Sequence, residues 1–195
     1  MKKLFYNSII FFLVILIFLS LILSTIGIET NKFNELISEK VYQKKNIDLQ
    51  LDEIKFKLDI KELSLFLETQ NPKITYKDFT LPVQNIKIYV DFISVIKSKP
   101  IISKTELVLD ELDIIQLNKL SKIIKPSNFK SILNNKIKKG KLISEVEIFL
   151  DKQGILKNFI AKGTVKDLES ELINGLILTK INLNFFADKS DVLIK

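Results

Sequence analysis

"NIDLQLDEIKFKLDIKELSLFLET" (residues 46–69) alternates apolar and polar side chains along its whole length, but not in one phase. Ile47, Leu49 and Leu51 are odd-numbered, Ile54, Phe56, Leu58 and Ile60 even, and Leu63, Leu65 and Leu67 odd again. A period of two marks a β-strand with one covered and one solvated face. Each change of phase costs one residue and neither carries Gly or Pro, which is the trace a β-bulge leaves in a sequence. The expectation is therefore long strands in a strongly coiled sheet.

The polar positions are occupied by Asp48, Gln50, Lys55, Lys57 and Asp59, so one face meets water and the other has to be covered. Asp52 and Glu53 read as the outward side of the first bulge. The same period runs on through Ile74, Tyr76, Phe79, Leu81 and Val83, then Ile86, Ile88 and Val90. "TQNPK" (69–73) reads as a turn and Pro82 as an edge or bulge position. Strand pattern resumes at 103–109 and again from Ile137, where Gly154 in "LDKQGIL" and Asn174-Gly175 in "LINGLIL" mark hairpins. Ile181, Leu183 and Phe185 form a further strand face, "ADKSD" turns, and "VLIK" begins a strand that stops at the last residue. That short last strand reads as the N-terminal part of a longer protein.

Helical spacing is confined to 31–43, with Phe33, Leu36, Ile37 and Val41, and to 116–135. The second region breaks at Pro126 into a stripe of Leu117, Leu120, Ile123 and Ile124 and a piece carrying Phe129, Ile132 and Leu133. One helical turn is expected at Phe92–Ile96, stopped by "KSKP". This is little helical cover for so much strand. Two solutions remain open on pattern alone: a closed sandwich or barrel, or a sheet curled into an apolar trough.

Residues 4–28 hold 25 consecutive positions without a charge, rich in Ile, Leu and Phe. As a helix that stretch is about 37 Å long, enough for a hydrocarbon core of roughly 30 Å. Lys2 and Lys3 precede it and Glu29 follows, so the positive-inside bias places the N-terminus in the cytoplasm and the rest across the membrane. A cleaved signal peptide is the rival reading. It calls for a shorter apolar region and an A-x-A-like site, and "STIG" at 24–27 offers none. The expected organisation is an anchor over 1–29, a short juxtamembrane helix over 30–45 and a β-domain over 46–195.

The chain has no Cys and no His, which removes disulfides, thiolate chemistry, the usual general base and the commonest metal ligand. It also lacks G-x-S-x-G and P-loop motifs, so the sequence points to no enzyme and calls for no cofactor or metal. Thirty lysines stand without a single arginine. This fits codon bias in an AT-rich bacterial genome, and the absence of Arg argues against nucleic acid as a partner. "LDELD" (Asp110, Glu111, Asp113) lacks the ligand order and turn glycine of a calcium loop and reads as a solvated strand end.

The order of these features resembles the N-terminal portion of the AsmA-like superfamily, which includes DUF3971-containing, YhdP-like and TamB-like bacterial proteins. The resemblance is carried by the Lys-Lys start, the single anchor, "STIGIETNKFNELI", the opening strands, "ITYKDFTLPVQNIKIYVDFISVIKSKP" and "KIKKGKLISEVEIFLDKQGILKNFIAKGTVKDLES". It implies a mainly β fold: an N-terminal transmembrane helix, then a curled antiparallel β-sheet, taco- or groove-like, with two or three short helices. It further implies a single-pass bacterial inner-membrane protein with a periplasmic groove that takes phospholipid as cargo and works with periplasmic or outer-membrane partner proteins. Members are usually several hundred residues or more, so this chain is too short to cross a periplasm alone.

On the residues alone, the inward set is a core. The resemblance makes it an acyl-chain lining: Ile47, Leu49, Leu51, Ile54, Phe56, Leu58, Leu63, Leu65, Leu67, Ile86, Ile88, Val90, Val146, Ile148, Leu150, Ile181, Leu183 and Phe185. Eight lysines (Lys119, Lys122, Lys125, Lys130, Lys136, Lys138, Lys139 and Lys141) with no acid between Asp113 and Glu145 form a candidate patch for anionic headgroups, at about 1 kcal/mol per Lys near a charged surface. The plain alternative is the solvated face of two helices. Two other functions stay open: a tether of the lipopolysaccharide-export type, and an assembly factor with a closed β-core whose edge recruits a partner by strand addition.

Overall fold

The computed structural model describes residues 2–31, 34–45, 47–62, 64–77, 79–91, 94, 97, 101–123, 136–171 and 175–195. The order is α1 (Lys2–Thr25), β1 (Ile28–Thr30), α2 (Asn34–Lys45), β2 (Asp48–Gln50), β3 (Ile54–Asp59), β4 (Ser64–Gln70), β5 (Lys73–Tyr76) and β6 (Phe79–Val90). It continues with β7 (Ile102–Leu109), β8 (Leu112–Asp113), α3 (Ile114–Ile123), β9 (Ile137–Leu150), β10 (Leu156–Glu171), β11 (Ile177–Asp188) and β12 (Val192–Ile194). The strands make one antiparallel sheet in the order β1-β3-β4-β6-β7-β9-β10-β11-β12, with β2 beside β5, β5 beside β6 and β8 beside β9. β1 and β12 lie at opposite edges without meeting, so the sheet curls but does not close. Of the expected turn at Phe92–Ile96 only Ser94 is described, and 124–135 lies outside the described residues.

The two phase changes of the opening stretch have different causes. The second, between Ile60 and Leu63, is no bulge. It is the β3–β4 hairpin, with Asp59 paired to Ser64. The Asp59 carboxylate accepts the backbone N–H groups of Lys61 (2.9 Å) and Glu62 (3.1 Å), an Asx-type turn. "TQNPK" in turn does not reverse the chain. Gln70 opposes Asn85 and Lys73 opposes Pro82, so β4 and β5 run one after the other along β6 in a single register. Asn71 N–H bridges the gap by donating to Gln84 O at 2.8 Å. The reversal comes at Lys77 (φ 47), in a two-residue connection between the paired Tyr76 and Phe79. Pro82 is thus in an interior strand, beside a register shift between β6 and β7. The glycine turns stand where the sequence put them, at Gly154 (φ 79) and Gly175 (φ 85).

The first phase change belongs to a crease. Leu49 opposes Ile74 and Ile54 opposes Thr69, so β2–β3 and β4–β5 keep register while the chain breaks at 51–53 and 71–72. Opposed residues of an antiparallel pair point to one side, so the inward face can be followed strand by strand. In strand after strand the inward residue steps by three where two is the rule: Leu51 to Ile54, Thr69 to Pro72, Val83 to Ile86 and Leu109 to Leu112. The step recurs at Ile137 to Gly140, Val165 to Leu168 and Leu178 to Ile181. Positive φ at Asp167 (51°) and Lys180 (57°) marks the same line in β10 and β11. A local irregularity in one strand bends it, and a diagonal line of them bends a whole sheet. This line is the physical source of the curl.

The outward face is held by charge. Glu29, Lys55, Glu68, Lys87 and Glu106 stand directly opposite one another across five strands, alternating in sign, with Glu147 next in line. Lys55 reaches Glu29 at 2.7 Å, and Lys57 reaches Glu68 at 2.6 Å. Lys104 bridges Glu62 and Glu106, both at 3.0 Å, with its ammonium 4.0 Å from the centre of the Tyr89 ring. Tyr89 stacks on Phe66 and donates to Glu106, and burial with that carboxylate keeps its phenol protonated far above the usual range. Burial alone raises the Glu68 carboxyl, but hydrogen bonds from Lys57 and Asn85 and the charges of Lys57 and Lys87 outweigh it and hold the group below the usual carboxylate range. Towards β9–β11 the charge thins, and Phe149, Ile160 and Phe186 join this face.

Two outcomes follow. A Cβ on Gly163 would meet Ile143 O at 2.1 Å and the Phe185 ring at 2.8 Å. Gly163→Ala is expected to cost about 2–4 kcal/mol in denaturant unfolding of the detergent-solubilised chain. Because the folded Glu68 pKa is depressed, its contribution is complete above the unfolded value and disappears as pH falls through the folded one. Glu68→Gln should therefore lower Tm clearly at about pH 7, and progressively less as the pH falls through the folded-state pKa and the wild-type group takes up its proton.

Candidate functional site

Cross-strand pairing turns the inward side chains into rows. One runs Ile28, Phe56, Leu67, Ile88, Thr105, Ile148 and Phe159 from β1 to β10. The next runs Thr30, Ile54, Thr69, Ile86, Leu107, Val146, Ala161, Ala187 and Val192, edge to edge. On one side of these lie Leu58, Leu65 and Val90. Further along β9–β12 come Gly163, Phe185 and Ile194, then Leu142, Val165 and Leu183.

The predicted lining falls largely on this one face. Ile54, Phe56, Leu58, Leu65, Leu67, Ile86, Ile88, Val90, Val146, Ile148, Leu183 and Phe185 share it by direct pairing. Leu49 joins through Ile74 and Leu81, Leu150 through Leu156, and Ile181 through Leu168. Leu51 lies in the crease beside Ile54. Ile47 precedes β2 and is half-buried, and Leu63 lies outside the described residues. Sequence reasoning left out Leu107, Leu109, Leu112, Leu142, Phe159 and Val165, although the alternation of "TELVL" (105–109) carries the first two. It also counted Ile28 in the anchor, whereas α1 stops at Thr25 and Ile28 opens β1.

Ile54 and Ile86 are buried at 3% and 6% exposure, but Phe56, Leu67, Ile88, Leu107, Val146 and Ile148 are only half-buried despite their central strands. A second sheet packed over them would bury such positions fully. The face is thus an apolar trough, covered in part.

At its start the trough is tied to α1. Phe5–Thr25 is apolar, unburied by the rest of the chain and, by length and composition, able to cross a membrane. Gly27 (φ 79) then turns the chain so tightly against β3 that a Cβ there would lie 2.8 Å from both Phe56 O and Lys57 Cγ. The first residue of the apolar row follows immediately, at Ile28.

α2 lies over this same end. Its inward positions are Asn34, Ile37, Ser38 and Val41, at the i, i+3, i+4, i+7 spacing of one helical face, with Ile37 set among Leu49, Leu51, Ile54, Leu67, Ile86 and Ile88. Asn34 Nδ2 donates to Leu51 O (2.9 Å) and Asp52 O (2.7 Å), carbonyls freed where the crease breaks the strand. Burying an Ile contributes about 1.5–3 kcal/mol. The buried Asn34 Oδ1 accepts no hydrogen bond among the described residues, which costs about 1–3 kcal/mol. That cost offsets part of what the Ile37 contact and the two Asn34 hydrogen bonds contribute.

Three of the eight lysines of the patch pair with acids. Lys138 pairs with Glu171 (3.4 Å), Lys139 with Glu169 (3.1 Å) and Lys141 with Glu111 (2.7 Å). The hydrogen bond and charge of Glu111 raise the Lys141 pKa. Lys119 and Lys136 are exposed, while Lys125, Lys130 and the Lys122 side chain lie outside the described residues. "LDELD" serves structure: Asp113 Oδ1 accepts from Gln116 N (2.8 Å) and Gln116 Oε1 from Asp113 N (2.9 Å), a capping box that starts α3.

No family model matches the chain, and neither the curated proteins nor the solved structures contain a match to it.

Proposed function

We propose that the chain is a membrane-anchored lipid-handling protein of the AsmA-like kind, with its N-terminus in the cytoplasm of a bacterium and its sheet in the periplasm. Phospholipid acyl chains lie in the apolar trough while their headgroups stay in water. No chemical step is involved. Each methylene kept from water contributes about 0.8 kcal/mol, so a chain is retained by partition and slides without fixed polar contacts. The carrying observation is the continuity at Gly27: an apolar helix long enough to cross a bilayer is followed, two residues after it ends, by the first residue of an apolar row that crosses the sheet. A charged outer face and an unclosed sheet support the same reading, since a closed core offers an acyl chain no entry.

One observation favours the strand-addition reading. β12 pairs with β11 at Phe185–Ala187, and Asn184 exchanges backbone hydrogen bonds with Lys195, both 2.8 Å. Residues 177–183 of β11 have no strand on their outer side among the described residues, and such an edge is a template for a partner strand.

Phenylalanine positions on both faces allow a near-isosteric test. The chain is reconstituted in phospholipid vesicles with p-benzoylphenylalanine at Phe56 or Phe185 in the trough, or at Phe149 on the charged face. Ultraviolet irradiation should attach phospholipid at the first two positions and leave the third essentially unlabelled. Equal labelling at all three, or none, rules the lipid reading out.

A further inference from the structure

We infer that α2 is a displaceable lid and that the space filled by Ile37 is a binding site for the end of an acyl chain. This rests on the lipid reading above. With α2 in place only about 30 Å³ is open around Ile37, against about 10–15 Å³ for one water on the same measure, so an alkyl chain enters by displacing the Ile37 side chain. The walls are Leu49, Leu51, Ile54, Leu67, Ile86 and Ile88, a continuation of the trough rows, with Thr69 and the backbone neighbour Glu68 beside them. An alkyl chain entering there replaces the Ile37 side chain in kind, apolar group for apolar group, and asks no polar atom of the wall to lose a partner.

Three features make the helix the part that moves. Its inward face alternates apolar and polar residues, with Ile37 and Val41 beside Asn34 and Ser38. Asn34 Nδ2 ties it to the sheet through two carbonyls that lie in the crease and in no strand ladder. The Asn34 Oδ1 beside them is buried without a hydrogen-bond partner among the described residues, a cost that lifting the helix removes. α2 also follows β1 after only three residues, so the lid lies at the end of the trough nearest the anchor. A chain leaving the bilayer along Ile28 and Phe56 meets Ile37 first.

The chain has no cysteine of its own, so a reversible lock is clean to build. Asn34 Nδ2 lies 2.7 Å from Asp52 O, which sets these two residues side by side for an Asn34→Cys, Asp52→Cys pair. The full chain is placed in mixed micelles with phosphatidylethanolamine carrying a terminal acyl diazirine, and carbene adducts are mapped by mass spectrometry. With the pair reduced, adducts are expected at Leu49, Leu67 and Ile88 as well as at Val146 and Ile148. Oxidation should cut the first group about fivefold, leave the second unchanged, and be undone by reductant. Ile37→Ala, which needs no disulfide, should raise adducts under the helix at least about twofold. Equal adducts under α2 in the locked and reduced states, with Val146 and Ile148 labelled, overturn the lid and leave the lipid reading standing. Adducts nowhere overturn both.

Discussion

In an antiparallel pair, directly opposed residues must share a face, and every other feature of this sheet follows from keeping that rule across a bend. A strand that bends by one extra residue turns its later side chains to the wrong side unless the sequence changes phase with it. Here the phase changes with the bend in strand after strand, from Leu51 to Ile54 at one end to Leu178 to Ile181 at the other. The apolar face therefore remains continuous through the curl. Register holds across the break, so Leu49 still opposes Ile74 and Ile54 still opposes Thr69.

A curled sheet with one apolar side has to cover that side, and the outer face shows why it does not simply flatten and aggregate. Alternating charges from Glu29 to Glu106 join neighbouring strands, and Lys104 is fixed between two carboxylates over an aromatic ring. Such pairs contribute little each when exposed, but as a row they make one face soluble and set which side turns inward. Among the described helices α2 lies against β2 near α1 and α3 against β8 and β9, and many inner side chains between them stay half-buried. That imbalance, strong polar cover outside and light cover inside, is what makes the trough the candidate site.

Much of this was legible. The period of two, the apolar helix and the glycine hairpins at Gly154 and Gly175 follow from local chemistry, and most of the proposed lining came out on one face because alternation is itself the record of that face. Two turns were misread. The hairpin at Asp59–Ser64 looked like a bulge because its turn is made by a carboxylate and not by glycine. "TQNPK" looked like a turn because Asn-Pro usually is one, whereas the true reversal at Lys77 carries no such mark. The acids beside Lys138, Lys139 and Lys141 could not be read from the lysine run itself, because Glu169 and Glu171 come from β10 and Glu111 from the β7–β8 connection.

By itself the sequence determined the local matters: an apolar helix, strands with one wet and one dry side, and a slip of phase in the first of them. These depend on neighbours within a few residues, where side-chain period and backbone preference suffice. Only the tertiary structure decided that the slips align into a crease, that the sheet stays open, and that Ile28 joins the apolar helix to the apolar rows. Those facts depend on which strands meet, and pairing over long separations is fixed by the summed burial and charge of whole faces. No short stretch contains that sum.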